Sequence, residues 1–336
     1  MNKTLECLNI AHRIQKRKPW LHFSDADFIQ LSPYEKEPIF VTIMGNAKTT
    51  YGLGFYFGNR AFEDLLYVLD NPDLPELQRF RYTDALTIYF DKKDEMEAED
   101  LALLDQAGIK ITKAQRGPLL RKLNYNIPSS FTDVDLDRLM YALGILEKAL
   151  DRYEAKHPEV YFAYGELLRF KESAKGTWVL RGIQMQRFYH VYPFYEFDVK
   201  KLRKSNPAHY PQQIELDFAV LNTLIDDDER DPYLPRAMMI ASVSDHFMHV
   251  CQIMDPNQEI EELYAQTLLD FIKKNGRPDA VIVRDPQALA AIEGIAFVLE
   301  IPFAMSNELY IIDDFIQAMQ ESKNDFEEEF SKIRFS

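Results

Sequence analysis

The sequence has few of the residues that define secreted, metal-binding or membrane proteins. It contains only two cysteines, Cys7 and Cys251, which form neither a metal-ligand spacing nor a disulfide framework. No apolar run approaches the roughly 18 to 20 residues of a membrane span, and the initial MNKTLECLNIAHRIQKRK lacks the apolar segment of a signal peptide. We therefore expect a cytoplasmic protein without a membrane partner.

Positive charge is also scarce, since 39 Lys and Arg residues stand against 54 Asp and Glu residues, for a net charge of −15. A broad nucleic-acid surface requires an excess of basic residues, so nucleic acid is an unfavoured partner. Local basic patches at Arg13–Lys18, Lys113–Lys122 and Lys200–Lys204 are interpreted as solvated faces. The partner expected instead is a protein, whose identity the sequence does not give.

The residues that are present are typical of a globular protein with mixed α/β structure. Apolar residues make up 46 % and aromatic residues 13 % of the 336 positions, enough for two or three domains with real cores. Strand and helix signals alternate along the chain. They predict an N-terminal α/β unit (1–118), a long connecting helix (119–158), a small aromatic β segment with a linker (159–206), a C-terminal α/β unit (207–322) and an acidic tail (323–336).

The segment 214–305 carries the strongest pattern, three strands followed by helix, strand, helix and strand. The three strands are predicted at Ile214–Leu221, Met238–Val243 and Phe247–Met254. A helix ends at Gly276 and is followed by a short apolar strand, Ala280–Val283, of the kind buried on both faces. This order predicts a sheet with two helical crossovers.

A copy of this order is predicted near the N-terminus. Asp27-Phe28 matches Asp217-Phe218, and DALTIYFD (Asp84–Asp91) matches DAVIVRD (Asp279–Asp285) in order and spacing. We therefore predict an internal duplication, in which residues 20–115 and 210–305 superpose with the same strand order.

Two segments lie between these units. Thr132 and Asp135 have the capping-box spacing before a leucine-rich helix that should end at Lys156-His157-Pro158. Residues 160–198 contain short aromatic strands, interpreted as a small antiparallel sheet that lies between the units or extends one of them. A base-stacking platform would also place aromatic residues in strands, but it would need exposed rings beside cations.

The C-terminal pattern carries a resemblance to a known fold. The run from Asp217 through PYLPRAMMIASVSDHFMHVCQIMDP to GRPDAVIVRD is similar in layout to ribonuclease H-like cores of the integrase and transposase type. The resemblance implies two metal-binding acids, which by position are Asp217 and Asp285, and a third acid on a later helix, for which Glu321 has a suitable spacing. It implies Mg or Mn as the cofactor of a nuclease or phosphotransfer enzyme, with all three acids as catalytic residues.

Asp285 has a second interpretation that needs no metal. It precedes Pro286 at a helix start, where Asp is a favoured N-cap, so its side chain should accept a backbone N–H near Ala288. Asp217 and Asp285 should come close in either case. A non-catalytic unit would place a Lys, an Arg or an apolar side chain between them, whereas an enzyme would leave that place open for metal.

A closer resemblance is to bacterial two-module proteins of unknown function. It rests on SDADFIQL, VTIMG and YGLGFYFG near the N-terminus and on NGRPDAVIVRDPQALAAIEGIAFVLEIPF near the C-terminus. That family implies no established activity. We therefore predict an uncharacterised, non-catalytic interaction or regulatory protein built on degenerate ribonuclease H-like units and without a cofactor. The metal-dependent nuclease remains the alternative.

Overall fold

The computed structural model describes residues 2–319 except 75–78, 80–81, 125–126, 130, 188–195, 222–224, 228–229, 234 and 255–259. The described residues form two compact units, the first with an eight-stranded sheet and the second with a five-stranded sheet. Helices pack on both sheets. The predicted mixed α/β class is confirmed.

Among its described residues, the first unit contains four helices and the eight strands of its sheet. Short 3-10 turns occupy Pro19–Leu21, Lys93–Glu95 and Phe162–Tyr164. The elements in chain order are α1 (Lys3–Lys16), β1 (Phe28–Ser32), β2 (Ile39–Met44), β3 (Gly52–Phe57), α2 (Gly58–Asp70), β4 (Asp84–Lys92), α3 (Ala98–Gln106), β5 (Arg116–Asn124), β6 (Ile127–Ser129), α4 (Asp133–Lys156), β7 (Glu166–Glu172) and β8 (Trp178–Gln184).

The sheet of the first unit has the strand order β6-β5-β4-β3-β2-β1-β7-β8. Strands β1 to β6 follow one another as antiparallel neighbours. Strand β7 joins the outer edge of β1 in parallel, and β8 pairs with β7. The aromatic segment therefore extends this sheet, one of the two placements expected for it. A further short strand predicted in its last part, YHVYPFYEF (189–197), lies mostly outside the described residues.

The main core of the first unit lies between the sheet and the helices α1 and α4. Helix α4 begins with the predicted capping box, in which the Thr132 hydroxyl accepts the Asp135 N–H at 3.2 Å and Asp135 accepts the Thr132 N–H at 2.9 Å. Its apolar residues recur every three or four positions and are buried against α1 and the sheet. The helix ends at His157, which adopts a left-handed conformation (φ 42°).

The chain after residue 198 contains the remaining elements. They are α5 (Val199–Ser205), β9 (His209–Val220), β10 (Ile225–Asp227), β11 (Arg230–Tyr233), β12 (Arg236–Ser242), β13 (Met248–Ile253), α6 (Ile260–Asn275), β14 (Arg277–Val283), α7 (Pro286–Leu299), β15 (Phe303–Met305) and α8 (310–319). The predicted β-β-β-α-β-α-β order is present in β9, β12, β13, α6, β14, α7 and β15.

The sheet of the second unit has the order β13-β12-β9-β14-β15, with β9 at its centre. Strand β12 is antiparallel to β9, whereas β14 is parallel to it and β15 is parallel to β14. Alternate residues of β9, namely Ile214, Leu216, Phe218 and Val220, pack with α6 and α7. Helix α8 packs with Ala219, Ala237 and Met239 in a separate cluster. Because helices cover both faces, β9 is buried along its second half.

The two units differ in strand order, so the prediction that they superpose with the same order is wrong. Strand β4 pairs antiparallel with β3, whereas its proposed counterpart β14 pairs in parallel with β9. The physical reason is that β7 occupies the edge of β1 that β4 would have to reach. The duplication also requires a last strand at Ile109–Thr112, to match the end of the second unit, but these residues form no strand and the next strand is β5.

The predicted domain boundaries stay a prediction, and Glu321 and the acidic tail lie outside the described residues. In the part of the chain that is described, no helix is both long enough and apolar enough to cross a membrane.

A buried ionic cluster as the candidate functional site

At the centre of the second sheet, the carboxylates of Asp217 and Asp285 both lie beside the hydroxyl of one tyrosine. Asp217 lies on β9, and Asp285 follows the neighbouring strand β14. The hydroxyl of Tyr264 on α6 donates to Asp217 Oδ1 at 3.0 Å and lies 3.5 Å from Asp285 Oδ2. All three side chains are buried. The hydroxyl has a single proton, and the shorter distance assigns it to Asp217.

An arginine completes the cluster. Arg284 Nε donates to Asp217 Oδ2 at 3.0 Å, and its Nη2 donates to Asp313 Oδ1 at 2.5 Å. The side chains of Arg284 and Asp217 have 0 % exposure. Burial raises the pKa of Asp313, while the Arg284 guanidinium and the Leu309 N–H oppose that rise. One buried cation therefore bridges two carboxylates from different elements.

Asp285 caps helix α7, as predicted. Its backbone is extended (φ −125°, ψ 158°), and its Oδ1 accepts the Ala288 N–H at 2.6 Å. Pro286 at the first helical position lacks an N–H, so the cap serves one of the N–H groups that the first turn leaves without a helical partner. The positive end of the helix dipole also favours the negative carboxylate at this place.

Glu215 plays a comparable part at the start of α8. Its Oε2 accepts the backbone N–H groups of Ile311 and Ile312, both at 3.0 Å. Burial raises the pKa of Glu215, and the two backbone bonds lower it. Together, Glu215 and Asp313 connect β9 and β14 to the first turn of α8. The cluster therefore joins the sheet to the helices that cover it.

The arrangement is closed in this conformation. Asp217 and Arg284 present no surface to a substrate, and the oxygens of Asp217 and Asp285 already accept hydrogen bonds. Among the described residues, no group of three or more His, Cys, Asp or Glu side chains has the arrangement of a metal site. The assignment of Asp217 and Asp285 as metal ligands or catalytic residues stays a prediction, and Glu321 is not described.

Sequence reasoning did not identify Arg284, Tyr264 or Asp313. The available signal for Arg284 was a basic residue directly after the apolar run AVIV, where a buried strand ends beside a helix cap. A charge in that place needs a partner. Its partners lie on β9 and α8, distant in the sequence, and only the sheet order brings them together.

The fold and the cluster define a protein of two mixed α/β modules, the second of which contains the buried ionic cluster. Comparison with family models finds two matching segments: the chain matches "Domain of unknown function (DUF7309)" over residues 5–167 and "Domain of unknown function (DUF6930)" over residues 198–320. Two domains of unknown function thus follow one another, consistent with the two-module resemblance. Searches of curated proteins and of solved structures found no significant match.

Proposed function

We propose that the chain is a non-catalytic interaction or regulatory protein of the cytoplasm, whose second unit is a degenerate ribonuclease H-like module. The strand order β13-β12-β9-β14-β15 supports this, because three antiparallel strands followed by two parallel strands with helical crossovers is the layout of that fold. The first unit has a different strand order and is left out of this assignment.

The position of Arg284 carries the proposal. A two-metal nuclease needs clustered carboxylates that hold two cations about 4 Å apart. In this chain a guanidinium lies against Asp217 and Asp313. Arginine keeps its proton in proteins, so a divalent cation approaching Asp217 would meet a fixed positive charge. The acids of the fold then serve to hold the sheet and its helices together.

Exposed apolar residues at the edges of the second sheet support a protein partner. Phe247 and Ile253, at or near the ends of β13, are 58 % and 53 % exposed, and Met305 on β15 is 46 % exposed. An outer strand with apolar side chains is a template for another chain unless something covers it. These edges are where the partner is proposed to bind.

The alternative, a metal-dependent nuclease or phosphotransfer enzyme, is favoured by one observation. Asp217 and Asp285 do converge, on the hydroxyl of Tyr264. In that alternative Arg284 would have to leave Asp217, and Glu321 would have to supply the third carboxylate with Mg²⁺ or Mn²⁺ between the acids.

Calorimetry with MnCl₂ distinguishes the two functions. We expect no stoichiometric binding to the wild-type protein and no cleavage of single- or double-stranded DNA or RNA. The informative variant is Asp285→Asn, because Asn also caps helices and should leave the fold intact. Asp279→Asn, at an exposed acid on β14, is the matched control. Stoichiometric binding and cleavage that Asp285→Asn abolishes and Asp279→Asn retains would overturn the proposal.

The interaction itself is tested by cross-linking in cells followed by mass spectrometry. The variants Ile253→Lys and Met305→Lys should each lose a protein that the wild-type chain cross-links reproducibly. Val179→Lys changes an equally exposed apolar residue on β8 and should retain it. Equal cross-linking by all three variants would show that the edges of the second sheet do not bind the partner.

A further inference from the structure

A cavity of about 560 Å³ lies between α5, the loop after it and the C-terminal half of α6. This volume is within the range of roughly 300–1,000 Å³ that is usual for small-molecule sites. The lining includes the apolar residues Phe197, Leu202 and Leu269 and the basic residues Lys201, Lys273 and Lys274. The cavity is separate from the ionic cluster, none of whose residues lines it.

Two glycines allow close packing at this cavity: Gly276 belongs to the lining, and Gly294 packs against the lining residue Phe197. Gly276 ends α6 with φ +109°, and a Cβ there would collide with the carbonyl oxygen of Ala208 in the opposite wall. A Cβ on Gly294 of α7 would lie 3.0 Å from the ring of Phe197. Helix α5 is itself capped by Asp198, which accepts the Lys201 N–H at 3.0 Å. The positions of Gly276 and Phe197 in the lining therefore depend on close contacts that only glycine permits.

The charge of the lining contrasts with that of the whole chain, whose net charge is −15. Three lysines line the cavity with two acids, Asp198 and Asp270, and Asp198 is already engaged as the cap of α5. Within the described part of the chain, none of the three ammonium groups forms an ion pair. A ligand with one negative charge would complement them, and an apolar body would cover Phe197, Leu202 and Leu269.

We propose that this cavity binds a small amphipathic monoanion, with a carboxylate at the lysines and an aliphatic or aromatic body on the apolar lining. The site goes beyond the proposed partner binding and does not depend on it. A regulatory protein with such a site would respond to the concentration of a small organic acid.

The probe for this site is sodium decanoate, titrated below its micelle concentration into the full chain by calorimetry. We expect one site, a weaker affinity for decanol of the same length, and no binding of decyltrimethylammonium. The double variant Lys201→Glu/Lys273→Glu should weaken decanoate binding at least tenfold, because two attractions become repulsions. Lys200→Glu is the matched control, since it changes the same charge on the same helix outside the lining.

A second variant tests the apolar lining. Leu269→Gln should weaken decanoate and decanol alike, with far-ultraviolet circular dichroism showing that the fold is retained. The proposal is overturned if Lys200→Glu weakens binding as much as the double variant, or if the cationic probe binds as well as decanoate. It is also overturned if the protein binds no decanoate or takes up several molecules without regard to the variants. None of these outcomes depends on manganese binding or on the protein partner.

Discussion

The ion pairs between α1 and α4 in the first unit contrast with the buried pair at the centre of the second unit. In the first unit, Arg13 of α1 and Arg17, which follows that helix, pair with Glu147 and Asp151 of α4 at the surface, with N–O distances of 2.8 Å in both pairs. In the second, Arg284 pairs with Asp217 where neither has any exposure. A surface pair contributes about 0–1 kcal/mol, whereas removing one partner of a buried pair leaves an uncompensated charge. Ion pairs with similar N–O distances should therefore differ widely in the stability that is lost when one partner is removed.

The chain allows the two units to be monitored separately. It has two tryptophans, Trp20 and Trp178, and both pack against the main core of the first unit. Tryptophan fluorescence therefore follows the unfolding of the first unit, whereas far-ultraviolet circular dichroism follows both units. A substitution in the second unit should shift the circular dichroism transition more than the fluorescence transition.

The largest effect is expected from Arg284→Met. The substitution keeps an unbranched side chain but leaves Asp217 and Asp313 buried without their cation, so the free energy of unfolding of the second unit should fall by about 3–5 kcal/mol. Urea denaturation followed by circular dichroism measures the change, and the fluorescence transition serves as the internal control. Adding Asp217→Asn should recover part of the loss. If Arg284→Met lowered the free energy of unfolding by less than the loss of a surface pair does, the buried and the exposed ion pairs would not differ as proposed.

The next effect concerns the two helix caps. Asp285→Ala should destabilise the second unit by about 1 kcal/mol, and Asp285→Asn should be nearly neutral. Thr132→Ala, at the cap of α4 in the first unit, should cost a similar amount, because both side chains accept one backbone N–H at a helix start. Thermal unfolding with both optical probes compares them. If Asp285→Asn were as costly as Asp285→Ala, the charge rather than the cap would be the important property.

A smaller effect is expected at the surface of the first unit. Arg13→Ala removes the pair with Glu147, whose pKa is held low first of all by the hydrogen bond from Arg13. Because the pair is exposed to solvent, the loss should be only about 0.2–1 kcal/mol. It should also shrink in 0.5 M NaCl, which screens exposed charges. A loss comparable to that of Arg284→Met would contradict the comparison.

The smallest effect is a pH dependence confined to the second unit. Burial lowers the pKa of His249 below 6.5, and Lys274 acts in the same direction against the attraction of Asp245. The unfolded chain then binds the proton more readily, so this contribution is fully present above pH 6.5 and is lost as the pH falls from there through the lower pKa of the folded state. His249→Gln should flatten this part of the stability profile between pH 5 and 7. An unchanged slope would exclude His249 as its source.

Local features of the fold were predictable, whereas long-range ones were not. The caps at Thr132 and Asp285 were correct because both partners lie within three residues of each other. Most strands of the first unit could be predicted from the sequence. The strand that pairs with the outer edge of β1 could not, because it is β7, which lies far along the chain. The same limit applies to the cluster. Asp217 and Asp285 could be selected as candidate site residues by their positions on the strands, but the contact of Arg284 with Asp313 depends on how α8 packs on the sheet.

The central place of β9 has a consequence for synthesis on the ribosome. Strand β9 and the hairpin of β12 and β13 leave the exit tunnel before β14, so one edge of β9 stays open until β14 arrives. The hydrogen bond between Arg284 and Asp313 can form only after α8 has emerged, which happens later still. Before β14 arrives, the nascent chain exposes the apolar edge of β9 and an Asp217 that lacks its cation, which is when chaperones would be most needed.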